Sequence, residues 1–192
     1  MGKLDEAPAA GRFLNPVAVV AESEARIERL QPEARTAFAV LCAQMLMDAH
    51  LRLPKSEQRP FTLSWAPVLQ VIWAGLEATD SSSAKTIVGE HLKAFYEGEF
   101  NHNLGQDGPP DADDDAAACS IYAAQVFCRG DVKSARWAAS RMIDATDTTL
   151  QADTSAPSSM QVEAKRLLTA LKMLESQPWT PTLIPALRAA FR

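Results

Sequence analysis

The amino-acid sequence predicts an all-α fold, a single-domain bundle of about eight helices. Three observations support this prediction. Apolar residues recur every three to four positions, which is the period of a helix with one buried face. Proline, glycine and serine stand between these periodic stretches, where helices begin and end. No stretch alternates apolar and polar residues over the length of a strand, since even the valine cluster at 17–20 lies within a helical pattern.

Length and composition are those of one globular domain. The chain has 192 residues, of which 47% are hydrophobic and 22% charged. A domain of this size buries enough surface to fold without disulfides or metals. We expect residues 1–14 to form a flexible N-terminal lead and residues 15–192 to form the single helical domain.

The first two helices are each marked by a proline. Asn15 is the predicted N-cap of the first helix, and Pro16 is its first residue. The second helix is predicted to start at Pro32 and to run to about Arg52. Its apolar residues predict one buried stripe, formed by Ala34, Phe38, Leu41, Cys42, Met45 and Ala49.

Serine and proline also mark the third and fourth helices. The third is predicted to begin near Ser64, with Pro67 tolerated in its first turn. The run Ser81–Ser83 is predicted to cap the fourth helix, which ends at Gly98. Residues 98–115 then form the longest irregular segment of the chain.

Two alanine-rich helices follow, over 116–129 and 131–150. Only Gly130 and Asp131 separate them, and Asp131 is the predicted cap of the second. Such a short connection predicts antiparallel neighbours or a sharp corner. Small side chains on the inner face of the second helix would let two helix axes approach closely: Ala135, Ala138, Ala139, Met142, Ile143 and Thr146.

Two further helices complete the predicted bundle. Ser158 is the expected cap of the first, which ends at Pro178. The sequence Thr180-Pro181-Thr182 opens a last short helix that runs through Phe191.

The charge and the cysteines restrict the classes of partner and the compartment. The formal net charge is −5, which disfavours nucleic acid and anionic membrane surfaces as partners and permits a basic protein. The three cysteines are odd in number, and Cys119 and Cys128 fall on opposite faces of one predicted helix, so we expect reduced thiols. With no signal peptide and no apolar run long enough to span a bilayer, the sequence predicts a cytoplasmic protein.

An acidic cluster at the end of the irregular segment is the most prominent polar feature. The alternation of Asp111, Asp113 and Asp115 is similar to the start of a calcium loop, but the required Gly and Glu are replaced by Ala116 and Tyr122. Carboxylates at the start of a helix stabilise its positive dipole end, which explains the cluster without a metal. An alternative is that it recognises a basic partner.

No pattern for catalysis, metal or cofactor binding is present. The three histidines, His50, His91 and His102, are not at metal-ligand spacing, and HExxH, CxxC, GxSxG and phosphate-binding glycine loops are all absent. Sequence alone therefore assigns no catalytic residue, no metal and no cofactor. Among the four tryptophans, Trp65 and Trp73 suit a core, whereas Trp179 follows Pro178 in a loop and is a candidate interface anchor.

The chain resembles the YjaG-like bacterial all-helical family of unknown function, over roughly residues 25–190. The resembling positions are Arg29-Leu30, Arg35, Phe38 and Leu41-Cys42, the segment 71–76 with its Ile72-Trp73 pair, the alanine-rich stretch 116–124, and Leu167-Leu168 with Leu171. The resemblance implies an all-α fold and carries over no activity and no site residues.

Three functional hypotheses follow. The favoured one is a non-enzymatic protein–protein interaction module, of the immunity or antitoxin type, that neutralises a basic toxin. Its candidate partner-binding residues are Asp107, Asp111, Asp113, Asp114, Asp115, His102 and Trp179.

The alternatives use other parts of the chain. One is an enzymatic or small-molecule-binding bundle with a pocket lined by His91, His102, Tyr96 and Asp115. The other is a homo-oligomer in which the alanine-rich face of 131–150 completes a shared core.

Overall fold

The computed structural model describes residues 16–98, 115–150 and 159–190. Eight helices of seven residues or more occur in these ranges, and no strand does, which confirms the predicted all-α fold. They are α1 (Pro16–Arg29), α2 (Pro32–Leu51), α4 (Ala66–Glu77), α5 (Ser82–Glu97), α6 (Asp115–Arg129), α7 (Val132–Leu150), α8 (Ser159–Glu175) and α9 (Ile184–Ala190). A single turn, α3 (Pro60–Leu63), precedes α4, and a 3₁₀ turn, Pro181–Leu183, precedes α9.

Helices α2 and α6 pack against each other at the centre of the bundle. Helices α4 and α5 cover one side of this pair, and α7, α8 and α1 cover the other. Alanines and other small residues on α2 and α6 allow the two axes to lie close together. None of the helices in the described ranges has the length and hydropathy of a membrane span.

The stripe predicted for α2 is buried at Ala34, Phe38, Leu41 and Cys42, but the opposite face is buried as well. Val40, Ala43 and Met47 lie on that opposite face and are 0% exposed, because several helices pack around α2. Ala49, which the stripe placed inside, is exposed, and Met45 is only half-buried. Helix α2 is therefore the central helix of the bundle, buried on every side over most of its length.

Helix α5 begins at Ser82, within the predicted run Ser81–Ser83, but the predicted serine cap is not formed. Ser81 makes no capping hydrogen bond through its side chain. The Asp80 carboxylate instead accepts hydrogen bonds from the Ser82 backbone N–H at 2.9 Å and from the Ser82 hydroxyl at 2.6 Å. These bonds lower the pKa of Asp80.

Helices α6 and α7 form an antiparallel pair, which is one of the two arrangements that the short connection predicted. Three contacts show this direction: Asp115 with Arg141, the Cys119 thiol with the Ala138 carbonyl, and Gln125 with Ser134. Gly130 ends α6 with a φ of +68°, a conformation that favours glycine. The Asp131 carboxylate caps α7 by accepting the Lys133 N–H at 3.0 Å, as expected.

The alanine-rich face of α7 is buried within the chain. Ala135, Ala138 and Ala139 are at most 1% exposed, and they lie where α7 meets α2 and α6. The hypothesis that this face completes the core of an oligomer is therefore wrong, because the same residues already complete the core of the monomer.

An ion-pair cluster joins α1 to α8. The Arg26 guanidinium donates from Nη2 and Nε to Glu175 Oε2 at 2.7 and 2.9 Å, and it also reaches Glu22 at 3.2 Å. Hydrogen bonding by Arg26 lowers the pKa of Glu175 below its ordinary 4.5. The Glu175 side chain is 26% exposed, so solvent screens part of this interaction.

We expect the Glu175→Gln variant to be less stable than the wild type by about 1 kcal/mol at pH 7. A carboxyl with a lowered pKa stabilises the fold above its ordinary pKa and loses that effect as the pH falls through the lowered value. The stability difference should therefore shrink below pH 4.5 and vanish at lower pH. Urea unfolding at several pH values measures it, with Glu90→Gln on the exposed face of α5 as the control. A difference that stays constant from pH 7 to the acid range would contradict this assignment.

Candidate functional site

The largest cavity that we describe lies at one end of the bundle, where four chain connections meet. These are the links α1–α2, α4–α5, α6–α7 and the segment from α8 to the 3₁₀ turn. The cavity is an open groove of about 800 Å³, within the range of ligand and side-chain sites. We call it the Trp179 groove, and the residues that define it here are Gln31, Glu33, Glu77, Lys85, Phe127, Arg129 and Trp179.

Trp179 is held in place on the wall of the groove. Its backbone N–H donates to Gln31 Oε1 at 3.2 Å, and its ring packs on the edge of the core. Trp179 lines the groove, and it is half-buried. Its candidacy as an interface anchor thus has a geometric basis.

Arg35 ties together two of the connections beside the groove. Its guanidinium donates to the carbonyls of Leu30 at 2.9 Å and Ile27 at 3.3 Å, which lie at the end of α1. It also donates to the Gly130 carbonyl at 3.4 Å, between α6 and α7. One side chain therefore satisfies carbonyls at two helix ends, which α-helices leave without partners. This role was not predicted, because Gly130 is 95 residues from Arg35 and the bonds to Ile27 and Leu30 depend on the angle between α1 and α2.

Two carboxylates and two cations line the groove. Glu33 and Glu77 are exposed and form no salt bridge among the described residues. The Lys85 ammonium lies 5.8 Å from the centre of the Phe127 ring, and the Arg129 guanidinium lies 5.6 Å from the centre of the Tyr96 ring. Each cation is thus engaged with an aromatic ring of this chain, whereas the carboxylates are not engaged with a cation.

A thiol also lines the groove. Cys128 is half-buried, and its Sγ lies 3.7 Å from the Lys85 carbonyl. Burial raises the pKa of Cys128, so the thiol is protonated at neutral pH. A protonated thiol is a poor nucleophile, and Cys128 does not supply an activated group to the groove.

Most of the predicted acidic site cannot be located. Asp107, Asp111, Asp113, Asp114 and His102 lie outside the described residues. Asp115 is the first residue of α6, and its carboxylate is 3.3 Å from Arg141 on α7. Asp115 thus serves in an internal ion pair and at a helix N-terminus, where a carboxylate is favourable.

The alternative pocket is not assembled by the residues that can be located. His91 packs its ring edge-on against Trp65, with 4.6 Å between ring centres, and lines a cavity of about 410 Å³ between α4 and α5. Tyr96 does not line that cavity but bonds the Gln125 side chain, and Asp115 pairs with Arg141 on another side of α6. Burial lowers the pKa of His91, which keeps its ring neutral at pH 7.

An exposed aromatic residue on α7 was not singled out from the sequence. Trp137 is 41% exposed, more than any other tryptophan that we describe, and its ring lies 5.2 Å from that of Tyr122. The Lys133 ammonium lies 4.5 Å above the same ring. The signal available in the sequence was its flanking by Lys133 and Arg141 at i−4 and i+4, which places all three on one helix face.

Neither a cluster of metal-binding side chains nor a similar known protein identifies a further site in the described residues. Within residues 16–98, 115–150 and 159–190, no three His, Cys, Asp or Glu side chains are close enough together to hold a metal ion. Comparisons with protein-family models, curated proteins and solved structures found no significant match. The resemblance to the YjaG-like family therefore stays a prediction.

Proposed function

We propose that this protein is a non-enzymatic protein–protein interaction module that binds a partner with a basic surface through the Trp179 groove. One observation carries the proposal. The half-buried Trp179 lines an open groove of about 800 Å³ whose two carboxylates, Glu33 and Glu77, have no cationic partner among the described residues.

The chemistry of the groove favours an arginine or lysine side chain from the partner. A guanidinium or ammonium can stack on the face of an indole and gains more when water is excluded. Tryptophan and arginine are also the residues most enriched among the strongest contacts of protein interfaces. The indole would therefore stack on one cationic side chain of the partner, and the two carboxylates would pair with its charge.

The cations and helix ends beside the groove do not reverse its preference for a cationic side chain. Lys85 and Arg129 are each engaged with an aromatic ring of this chain. Two helices begin at the groove, α2 and α5, and two end there, α4 and α6, so their dipoles largely cancel. The cation–π contacts of Lys85 and Arg129 leave both positive charges in place, but no cation of the described residues forms a salt bridge with Glu33 or Glu77, so these two carboxylates are open to a cation of the partner.

In its most specific form, the proposal is an immunity or antitoxin-type protein that neutralises a basic toxin. The net charge of −5 supports this form, since opposite net charges accelerate association. The aspartates at 107, 111, 113 and 114 lie outside the described residues and do not enter the argument for the groove.

The test begins with a photocrosslinking amino acid at Thr79 on the rim of the groove, with Lys93 on α5 as the control position. The partner crosslinked in the native host is identified, purified and titrated by calorimetry. We expect Trp179→Ala to weaken binding at least about 30-fold, the loss typical of a central interface residue. The matched control is Ile87→Ala, which removes an exposed apolar side chain of α5 that does not line the groove.

The contribution of the two carboxylates is measured separately, through the salt dependence of binding. The double variant Glu33→Gln/Glu77→Gln should weaken binding at low salt and flatten its salt dependence, because screening acts on exposed charges. Equal crosslinking from both positions, or wild-type affinity of Trp179→Ala, would refute the groove as the binding site. If the partner is harmless when expressed alone, the protein is not an immunity or antitoxin-type factor. The more general proposal, a protein–protein interaction module, would still hold.

A further inference from the structure

The outer face of α7 carries a symmetric set of side chains. Lys133, Trp137, Ser140 and Asp144 follow one another at intervals of four, three and four residues. At about 100° per residue they lie within an arc of about 60° on the helix. Lys133, Trp137 and Asp144 are exposed, and Ser140 is half-buried. We call these four residues the α7 outer strip.

We infer that the α7 outer strip binds a second copy of this chain, with the two α7 helices antiparallel. The 4-3-4 spacing reads the same in both directions, so a two-fold axis between residues 138 and 139 superposes the strip on itself. This axis places Lys133 opposite the partner's Asp144 and Trp137 opposite the partner's Ser140. A two-fold interface requires this self-complementarity, because each subunit offers the same surface.

The charges beside the axis are compatible with this arrangement. Arg136 pairs with Glu28 of α1, and Arg141 pairs with Asp115 of α6, so both flanking cations are neutralised within their own chain. Lys133 has no carboxylate partner among the described residues. Asp144 already has a contact within its chain, but an ionised carboxylate has about four acceptor sites and can bind a lysine in addition.

The central aromatic residue is held in place before binding. The Trp137 ring lies between Tyr122, with ring centres 5.2 Å apart, and the Lys133 ammonium, at 4.5 Å. A side chain that is already fixed loses little conformational entropy on association. The strip spans only about three helical turns and buries less than the ~800 Å² per partner of a standard interface, so the dimer should be weak and concentration-dependent.

Sedimentation velocity of the full chain tests the inference, from about 5 to about 500 µM, a range that covers weak association. The measured mass should rise above the 20.9 kDa of the monomer. Lys133→Glu and Asp144→Lys should each raise the dissociation constant at least about tenfold, because each places like charges opposite one another. Lys165→Glu on α8 is the matched control and should have no effect.

An equal mixture of the two charge variants gives the decisive result. In the mixed dimer each introduced charge faces an opposite charge, so the mixture should associate at least about tenfold more tightly than either variant alone. Trp137→Ala keeps every charge and should also weaken the dimer, which provides a second test if Asp144→Lys disturbs α7. A monomer at all concentrations, a mixture no tighter than its components, or an equal effect of Lys165→Glu would each overturn the inference.

Discussion

Replacing Ala43 with lysine is expected to destabilise the protein by about 4 kcal/mol or more, one of the largest effects that a single substitution produces. Ala43 is 0% exposed and lies on α2, the central helix of the bundle. The packed core around it leaves no room for a long side chain, and an unpaired ammonium would be buried. Since domains are stable by only about 5–15 kcal/mol, we expect a much lower urea midpoint or loss of cooperative unfolding.

The matched control is Ala49→Lys on the same helix. Ala49 is exposed near the end of α2, so lysine there should change the stability by no more than about 0.5 kcal/mol. The apolar periodicity of the sequence predicts the reverse order, with Ala49 inside and Ala43 outside. A stable Ala43→Lys variant would contradict the burial of α2 at this position.

Gly75→Ala is expected to cost about 2–3 kcal/mol, although alanine is the better helix former. A Cβ at position 75 would lie 2.5 Å from Phe127 Cζ and 2.9 Å from Ala84 Cβ. Both neighbours are on packed helices, α6 and α5, and Phe127 is 5% exposed, so the ring has little space to move. Gly75 thus lies where α4, α5 and α6 pack closely together.

Two further variants separate packing from helix propensity. Gly89→Ala on α5 meets no atom within 4 Å and should stabilise the protein by about 0.5–1 kcal/mol, measured by the same urea unfolding. Phe127→Leu removes the ring atoms that crowd position 75, so the pair Gly75→Ala/Phe127→Leu should cost less than the sum of the single changes. Additive costs would mean that Phe127 is not the obstacle.

The candidate site was only partly predictable from the sequence. Trp179 was found because a tryptophan after a proline, outside any helical pattern, tends to be accessible. Gln31, Glu77 and Arg129, which share the groove with it, are distant in the chain and share no spacing that would connect them. Arg35 was missed for the same reason, since its carbonyl partners become neighbours only when α1, α2 and α6 pack.

The exposure of Trp137 illustrates a second limit. Its position on α7 was predictable, but α7 packs against α1, α2, α6 and α8, and these contacts leave only one strip of the helix uncovered. Which face of a helix stays exposed depends on the number and placement of its neighbours. The sequence of that helix does not contain this information.

By itself, the sequence determined the all-α class, most helix boundaries and the short connection that makes α6 and α7 neighbours. Prolines, Gly98, Gly130 and Asp131 act through φ, missing N–H groups and hydrogen bonds to adjacent residues, and such effects are local. Only the tertiary structure decided that α2 is central, that the alanine face of α7 is internal, and that Trp179 and Trp137 face separate surfaces. Burial and proximity are set by which distant helices pack together, and a residue's immediate neighbours in the chain do not specify that.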